Sequence, residues 1–206
     1  NLKITNVNHL AKLEILNASG YCGINDAGMM HCINLKSLNV SFNFKITNVN
    51  HLTKLENLGA YSCGINDAGI VQCINLKSLN ASNNPTITNV NHLAKLEILY
   101  AFSDCGINDA GIVNCINLKS LFAFDNSKIT NVNNLVNLEI LNACGCCGIC
   151  DTGMVHCINL VSLNASENRN ITNVNHLVKL EILNASYECG INDAGIVNCI
   201  SLKYLN

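Results

Sequence analysis

Tryptophan is absent, proline occurs once, and no block of lysines or arginines appears anywhere in the 206 residues. Acidic side chains outnumber basic ones, 14 to 12, for a formal net charge of −2. Neutralising phosphates requires the opposite balance, so no nucleic-acid partner is expected. No apolar run approaches the roughly 20 residues that a spanning helix needs, so no membrane partner is expected either. There is no G-x-x-x-x-G-K phosphate loop, and no nucleophile, base and orienting group stand out together; the chain is expected not to be an enzyme and to need no cofactor. Position 1 is not methionine, and the opening "NLKITNVNHL" sits in the middle of a pattern that returns four more times. The expectation is one domain, residues 1–206, that is a fragment of something longer without capping units.

What the chain does contain is apolar residues at 49%, charged ones at only 13%, and a polar fraction made mostly of Asn and Ser. That composition can bury a core. The 13 cysteines are an odd number, spread regularly. In a short secreted chain they would read as a disulfide framework; here they read as reduced, buried thiols in a cytoplasmic setting.

The regularity is a repeat. Copies of "ITNVNHL" begin at Ile4, Ile46, Ile87, Ile129 and Ile171, at intervals of 42, 41, 42 and 42 residues. A second marker, "CGINDAGI" or a variant, begins at Cys22, Cys63, Cys105, Cys147 and Cys189. Each period divides into two shorter units sharing L-x-x-L-x-[AV], as in Leu13, Leu16, Ala18 and then Leu35, Leu38, Val40. In every second unit the pattern runs on to an Asn: Asn43, Asn84, Asn126 and Asn168. The result is about ten units of 20–22 residues in five pairs.

This L-x-x-L-x-L-x-x-N pattern, with a small residue in the third apolar slot, resembles the leucine-rich-repeat family over essentially the whole chain. The units with "CGINDAGIVNCINLKSL" resemble the cysteine-containing repeats of F-box substrate receptors, and "ITNVNHLAKLEIL" resembles internalin-type repeats. The Asn- and Ile-heavy near-identical copies also resemble repeat proteins of giant amoeba-infecting DNA viruses, implying a viral or protist origin. The implied fold is an α/β right-handed solenoid with a parallel concave sheet and short helices or 3₁₀ turns on the convex side. The implied function is non-catalytic recognition of a protein partner on the concave face. Two alternatives stay open: the substrate-receptor part of an F-box-type ubiquitin ligase, and a structural protein that self-associates end to end.

Elementary geometry leads to the same coil. In L-x-L alternate residues face opposite sides. A lone unit cannot bury its apolar edge, but neighbours stacked about 4.8 Å apart make one sheet and one core. The strand-end Asn is expected to bond backbone groups of adjacent turns, and the ladder cysteines to fill the same slot in the other units. Asn25 or Asp26 is expected to cap a short helix, the column Asp26, Asp67, Asp109, Asp151 and Asp193 to serve as caps, and Gly23 and Gly64 to serve turns. "ITNVNHL" is expected to make a 3₁₀-like turn with Ile4, Val7 and Leu10 inside. The residue after each leading Leu alternates in sign, Glu14, Lys36, Glu56, Lys77, Glu97, Lys119, Glu139, Val161, Glu181, Lys203, which favours this stacking order.

Candidate sites are the places where copies depart from one another. In "CGCCGIC" only Cys147 repeats a cysteine of the other copies, as Cys157 does ten residues later; Cys144, Cys146 and Cys150 are extra. A tetrahedral metal site would need four ligands at about 2.3 Å from one point. Alternation sends Cys144 to the sheet face and Cys147 into the turn, so drift in copied slots is the favoured reading; a metal site of Cys144, Cys146, Cys147 and Cys150, or a Cys146–Cys150 redox pair, are the alternatives. His9, His51, His92 and His176 share a column but lie two strands apart, and read as hydrogen-bonding turn residues. On the outward face, against a background of Asn and Ser, five of the chain's ten aromatics cluster: Tyr61, Tyr100, Phe102, Phe122 and Phe124. They are the expected partner-binding residues. The sequons at Asn17, Asn39, Asn80, Asn164, Asn170 and Asn184 follow from copying and are expected to be unused.

Overall fold

The computed structural model describes residues 1–206 and places the sequence period directly in space. Ten short strands form one parallel sheet in chain order: β1 (Ile15–Asn17), β2 (Ser37–Asn39), β3 (Asn57–Gly59), β4 (Ser78–Asn80), β5 (Ile98–Tyr100), β6 (Ser120–Phe122), β7 (Ile140–Asn142), β8 (Ser162–Asn164), β9 (Ile182–Asn184) and β10 (Tyr204–Leu205). Sequence neighbours are sheet neighbours throughout, which is the topology of a coil. The register never slips: Leu16 faces Leu38, Leu38 faces Leu58, Leu99 faces Leu121, and Leu183 faces Leu205.

The middle leucine of each strand points into the coil and its two flanking residues point out, as period-2 alternation requires. Leu38 through Leu183 are buried, whereas Leu16 is half-buried and Leu205 exposed, because each of these two has a neighbour on one side only. The Ala18 column, and Ile46, Val49 and Leu52 with their copies, complete a single cluster of 54 buried apolar residues running the length of the chain. In the first copy only Val7 is buried; Ile4 and Leu10 are exposed.

Regular elements supply few of the backbone bonds. Only 21 of 98 lie within helices or strands, and the other 77 join turns and adjacent coils. Side-chain amides close the remaining gaps, which accounts for the asparagine content. Asn126 is buried and donates to Ala101 O at 2.7 Å and Ile107 O at 3.2 Å, while its oxygen accepts from Lys128 N at 3.0 Å. Asn43, Asn84 and Asn168 repeat this pattern. A second column acts on the opposite side: Asn50 donates to Ala68 O at 2.7 Å and accepts from Gln72 N at 2.8 Å.

Four return paths carry one turn of α-helix: α1 (Asp26–Met29), α2 (Asp67–Ile70), α3 (Asp109–Ile112) and α4 (Asp193–Ile196). The cap is the asparagine; Asn25 Oδ1, for example, accepts from Gly28 N at 2.9 Å. The aspartates are not caps. Each of the first four leans across to the next coil: Asp109 accepts from Thr130 N at 2.7 Å, Thr130 Oγ1 at 2.6 Å and Asn131 N at 3.1 Å. A carboxylate one residue inside the helix points away from the first free amides, and the next Thr-Asn turn offers three donors. The same crowding dictates the helical glycine: a Cβ at Gly111 would collide with the Thr88 carbonyl. Gly23 and Gly64 likewise answer close backbone approach, not turn geometry; the left-handed turn residue lies before the ladder cysteine, at Gly20, Ser62, Ser103, Gly145 and Tyr187. "ITNVNHL" folds as linked i→i+3 turns, Leu52 N to Val49 O at 2.9 Å and Leu55 N to Leu52 O at 3.0 Å, without a 3₁₀ helix.

Cys150 stands where the other copies have the capping Asn. No side-chain cap forms there, and the segment tightens to a 3₁₀ turn, Asp151–Gly153, with Met154 leaving the helical region. Replacing Cys150 by Asn is expected to restore an α-helical turn and to stabilise the fold by about 1 kcal/mol, measured by urea unfolding. Asn126→Ala removes three bonds made in the interior and should destabilise by about 3 kcal/mol. Asn117→Ala, which removes one exposed bond to Ala94 O, should change stability by less than about 1 kcal/mol in the same assay.

Candidate functional site

The outward face of the sheet is built from the first and third residues of each strand and the residue two further on. In most coils the third residue is Asn, whose oxygen accepts from the amide two residues later, as Asn39 does from Ser41 N at 3.0 Å. Tyr100 and Phe122 take that slot in β5 and β6 and face each other across the register. Their rings stack, with centroids 4.5 Å apart and planes 8° from parallel. Two residues on, Phe102 and Phe124 stack at 4.1 Å and 17°. Tyr61 reaches Phe102 at 5.9 Å, over the buried Ser82. All five expected residues are therefore brought together, and all five are half-buried.

The cluster extends further than the alternation pattern indicates. Phe42 meets Tyr61 edge-on at 5.0 Å, with 55% of its surface exposed. Phe42 lies outside the strand, at φ 60°, in the left-handed slot that the other coils give to Gly20, Ser62, Asn83, Ser103, Asp125, Gly145, Glu167 or Tyr187. Strand periodicity says nothing about that slot. Its occupant gives no signal either, because another coil places the aromatic Tyr187 there. The aromatic slot also gives up a local bond: Phe102 N, with no Asn oxygen two residues before it, donates to Ser82 Oγ at 3.2 Å instead.

On the other side of the strands the charge strip is paired within each period. Lys36–Glu14, Lys77–Glu56, Lys119–Glu97 and Lys203–Glu181 close at 2.9–3.0 Å. No ion pair forms across periods, such as Lys36 with Glu56, and Glu139 has Val161 opposite it, so the strip is a row of separate pairs.

The cysteine cassette splits as alternation requires. Cys144 lies half-buried on the sheet face, Cys146 is exposed, Cys147 is buried in the ladder, and Cys150 heads the 3₁₀ turn. All 13 thiols are unpaired, and no three His, Cys, Asp or Glu side chains converge in a metal-binding arrangement. The histidines fill a turn role: His51, His92 and His176 ring nitrogens lie 3.2–3.3 Å from the carbonyls of Met29, Ile70 and Met154 in the preceding coil. Burial pushes the thiols of Cys63, Cys73, Cys105, Cys115, Cys147 and Cys157 up to about 11, which keeps them protonated at neutral pH. Cys150 moves the other way, because the Thr152 hydroxyl, 3.3 Å from its sulfur, and nearby amides favour the thiolate. Iodoacetamide should therefore label Cys146 and Cys150 first in the folded protein, with Cys150 reacting at lower pH than a free cysteine. Labelled Cys63, Cys73, Cys105, Cys115, Cys147 and Cys157 should appear in peptide mapping only after denaturation.

No protein-family model matches the chain, and no curated protein matches it. Solved structures do. An internalin, InlF, from Listeria monocytogenes aligns over 93% of this chain and 65% of its own at 22% identity, with a TM-score of 0.60. TLR13, solved in complex with ssRNA13, aligns over all of this chain and 38% of its own at 18% identity and a TM-score of 0.61. Rad7, solved in complex with Elc1 in yeast, aligns over 95% of this chain and 63% of its own at 18% identity and a TM-score of 0.58. The chain thus spans less than two thirds of the length of each of the three. With ten parallel strands in unbroken register, asparagine and cysteine ladders inside, and these structural neighbours, the chain has the fold of the leucine-rich-repeat proteins.

Proposed function

We propose that this protein is a non-catalytic recognition scaffold that binds a protein partner on the outward face of its sheet, through Tyr61, Tyr100, Phe102, Phe122 and Phe124. The observation that carries the reading is the ring-to-ring contact from Phe42 through Tyr61 and Phe102 to Phe124, with Tyr100 on Phe122 beside it, in columns of the face that are mostly Asn and Ser in the other coils. Ring stacking across strands contributes to the sheet as well. Stability alone does not account for the cluster, because other coils hold the same sheet together with Asn and its local amide bond. Half-exposed aromatics rimmed by polar groups are the composition of an interface centre.

The structural neighbours support recognition in general: Rad7 was solved with the protein Elc1 and TLR13 with RNA. For this chain a protein fits better than RNA. The lysines of the charge strip are matched by glutamates, and the carboxylates of Asp104, Asp125 and Glu167 are exposed beyond the aromatic rings. Phosphates would meet repulsion there. No helix is long and apolar enough to cross a membrane.

The test uses the chain's own background residues. The variant Tyr100→Asn, Phe102→Ser, Phe122→Asn, Phe124→Ser should keep its circular dichroism spectrum and cooperative unfolding. A protein that binds the wild-type chain should bind this variant at least about tenfold more weakly by biolayer interferometry. A control on the opposite side, Asn114→Ala, should leave binding unchanged. Equal affinity for the wild type and the fourfold variant overturns the proposal.

A further inference from the structure

The aromatic face has a lopsided border. Phe124 is covered on one side by Phe102, at 4.1 Å. On its other side lies Cys144, whose carbonyl accepts from Asp125 N at 3.2 Å. Cys144 and the residues beyond it on that face, Asn142, Asn164 and Ser166, are small. Phe124 is half-buried, and its neighbours on that flank form a low floor of small side chains.

The rim beside this step is acidic. In each coil the left-handed residue follows the strand, and in this stretch the three are Asp125, Gly145 and Glu167, at φ 55°, 66° and 61°. Gly145 carries no side chain, and Asp125 fills the space above it: Oδ1 accepts from Cys146 N at 2.9 Å, and a Cβ on Gly145 would collide with that oxygen. Asp125 Oδ2 and the Glu167 carboxylate meet no donor from this chain: the ion-paired glutamates are Glu14, Glu56, Glu97, Glu181 and Glu188. Beside Asp125 lies a groove of about 800 Å³ lined in part by Gly145, Cys146, Glu167 and Tyr187. The cations nearby are occupied. Lys128 donates to Cys105 O at 3.0 Å, and Arg169, in the groove, is paired with Glu188. Burial, with Asp125 and Glu167 adding their charge, holds the Cys144 thiol protonated, so the floor stays neutral.

We propose that the protein partner presents a basic segment, and that one arginine or lysine side chain of that segment seats between Asp125 and Glu167, beside Phe124. The proposal rests on the aromatic face being the recognition surface. An apolar wall gives area, the ring face attracts a cation, and two free carboxylates supply charge-assisted bonds. Such complementarity selects among partners more than it adds affinity.

A random dodecapeptide display library, panned on the wild-type chain, tests this. Clones are kept when they lose binding to the fourfold aromatic variant. These clones should be enriched in Arg and Lys over the input library, and Asp125→Asn with Glu167→Gln should weaken them about tenfold, with binding that falls as salt is raised. Both substitutions keep side-chain shape, and the amide oxygen introduced by Asp125→Asn still accepts from Cys146 N. Aromatic-dependent clones without Arg or Lys enrichment, or with equal affinity for the double variant, overturn the basic partner while the aromatic face stands. Recovery of no aromatic-dependent clone overturns the recognition surface itself, and the basic partner with it.

Discussion

Every feature of this molecule depends on contact between one coil and the next. A unit of about twenty residues closes too few bonds within itself: most backbone pairs lie between coils or in the turns that join them. Its apolar edge is likewise buried only by the units on either side. The buried asparagines bind these two requirements together, since a single amide, at Asn126, ties the carbonyls of Ala101 and Ile107 to the amide of Lys128. Loss of one such side chain leaves three polar groups unpaired in the interior, so the ladder tolerates little change. The threonine clamps act the same way on the other side, where Asp26, Asp67, Asp109 and Asp151 each hold the following coil.

Near-identity among copies separates structural need from other causes. A position that reads Asn in most coils, and works as Asn in each, has shown that Asn suffices. Tyr100 and Phe122 depart from that solution in adjacent coils, and Phe102 and Phe124 depart in the next column. These departures are clustered and in register, those in the Asn column relinquish a local hydrogen bond, and they are the basis of the proposed recognition face. Cys150 is a departure of another kind. It loses the helix cap and tightens the turn to 3₁₀, and no three candidate ligands converge around it.

Repetition made much of this legible before any coordinates. The strand register, the inward leucines, the asparagine ladder and the meeting of Tyr100 with Phe122 all follow from period and alternation, because copied units must stack in equivalent places. Other features escaped. The aspartates read as caps because their position beside a helix start is a local pattern, whereas their real partners are donors about twenty-one residues away. The glycines beside the ladder cysteines read as turn residues, whereas a neighbouring carbonyl excludes a side chain there. The charge strip read as one ladder, yet ion pairs close only inside each period.

By itself the amino-acid order determined that the chain coils, how many coils it makes, which residues fill them and where the aromatics fall. Those properties depend on spacing along the chain. Tertiary structure alone decided that Phe42 joins the aromatic face, and that Asp125 leans over Gly145 with one carboxylate oxygen left without a donor. Each of these depends on the left-handed turn after the strand, where a side chain's direction is set by the coil beside it and not by its own sequence.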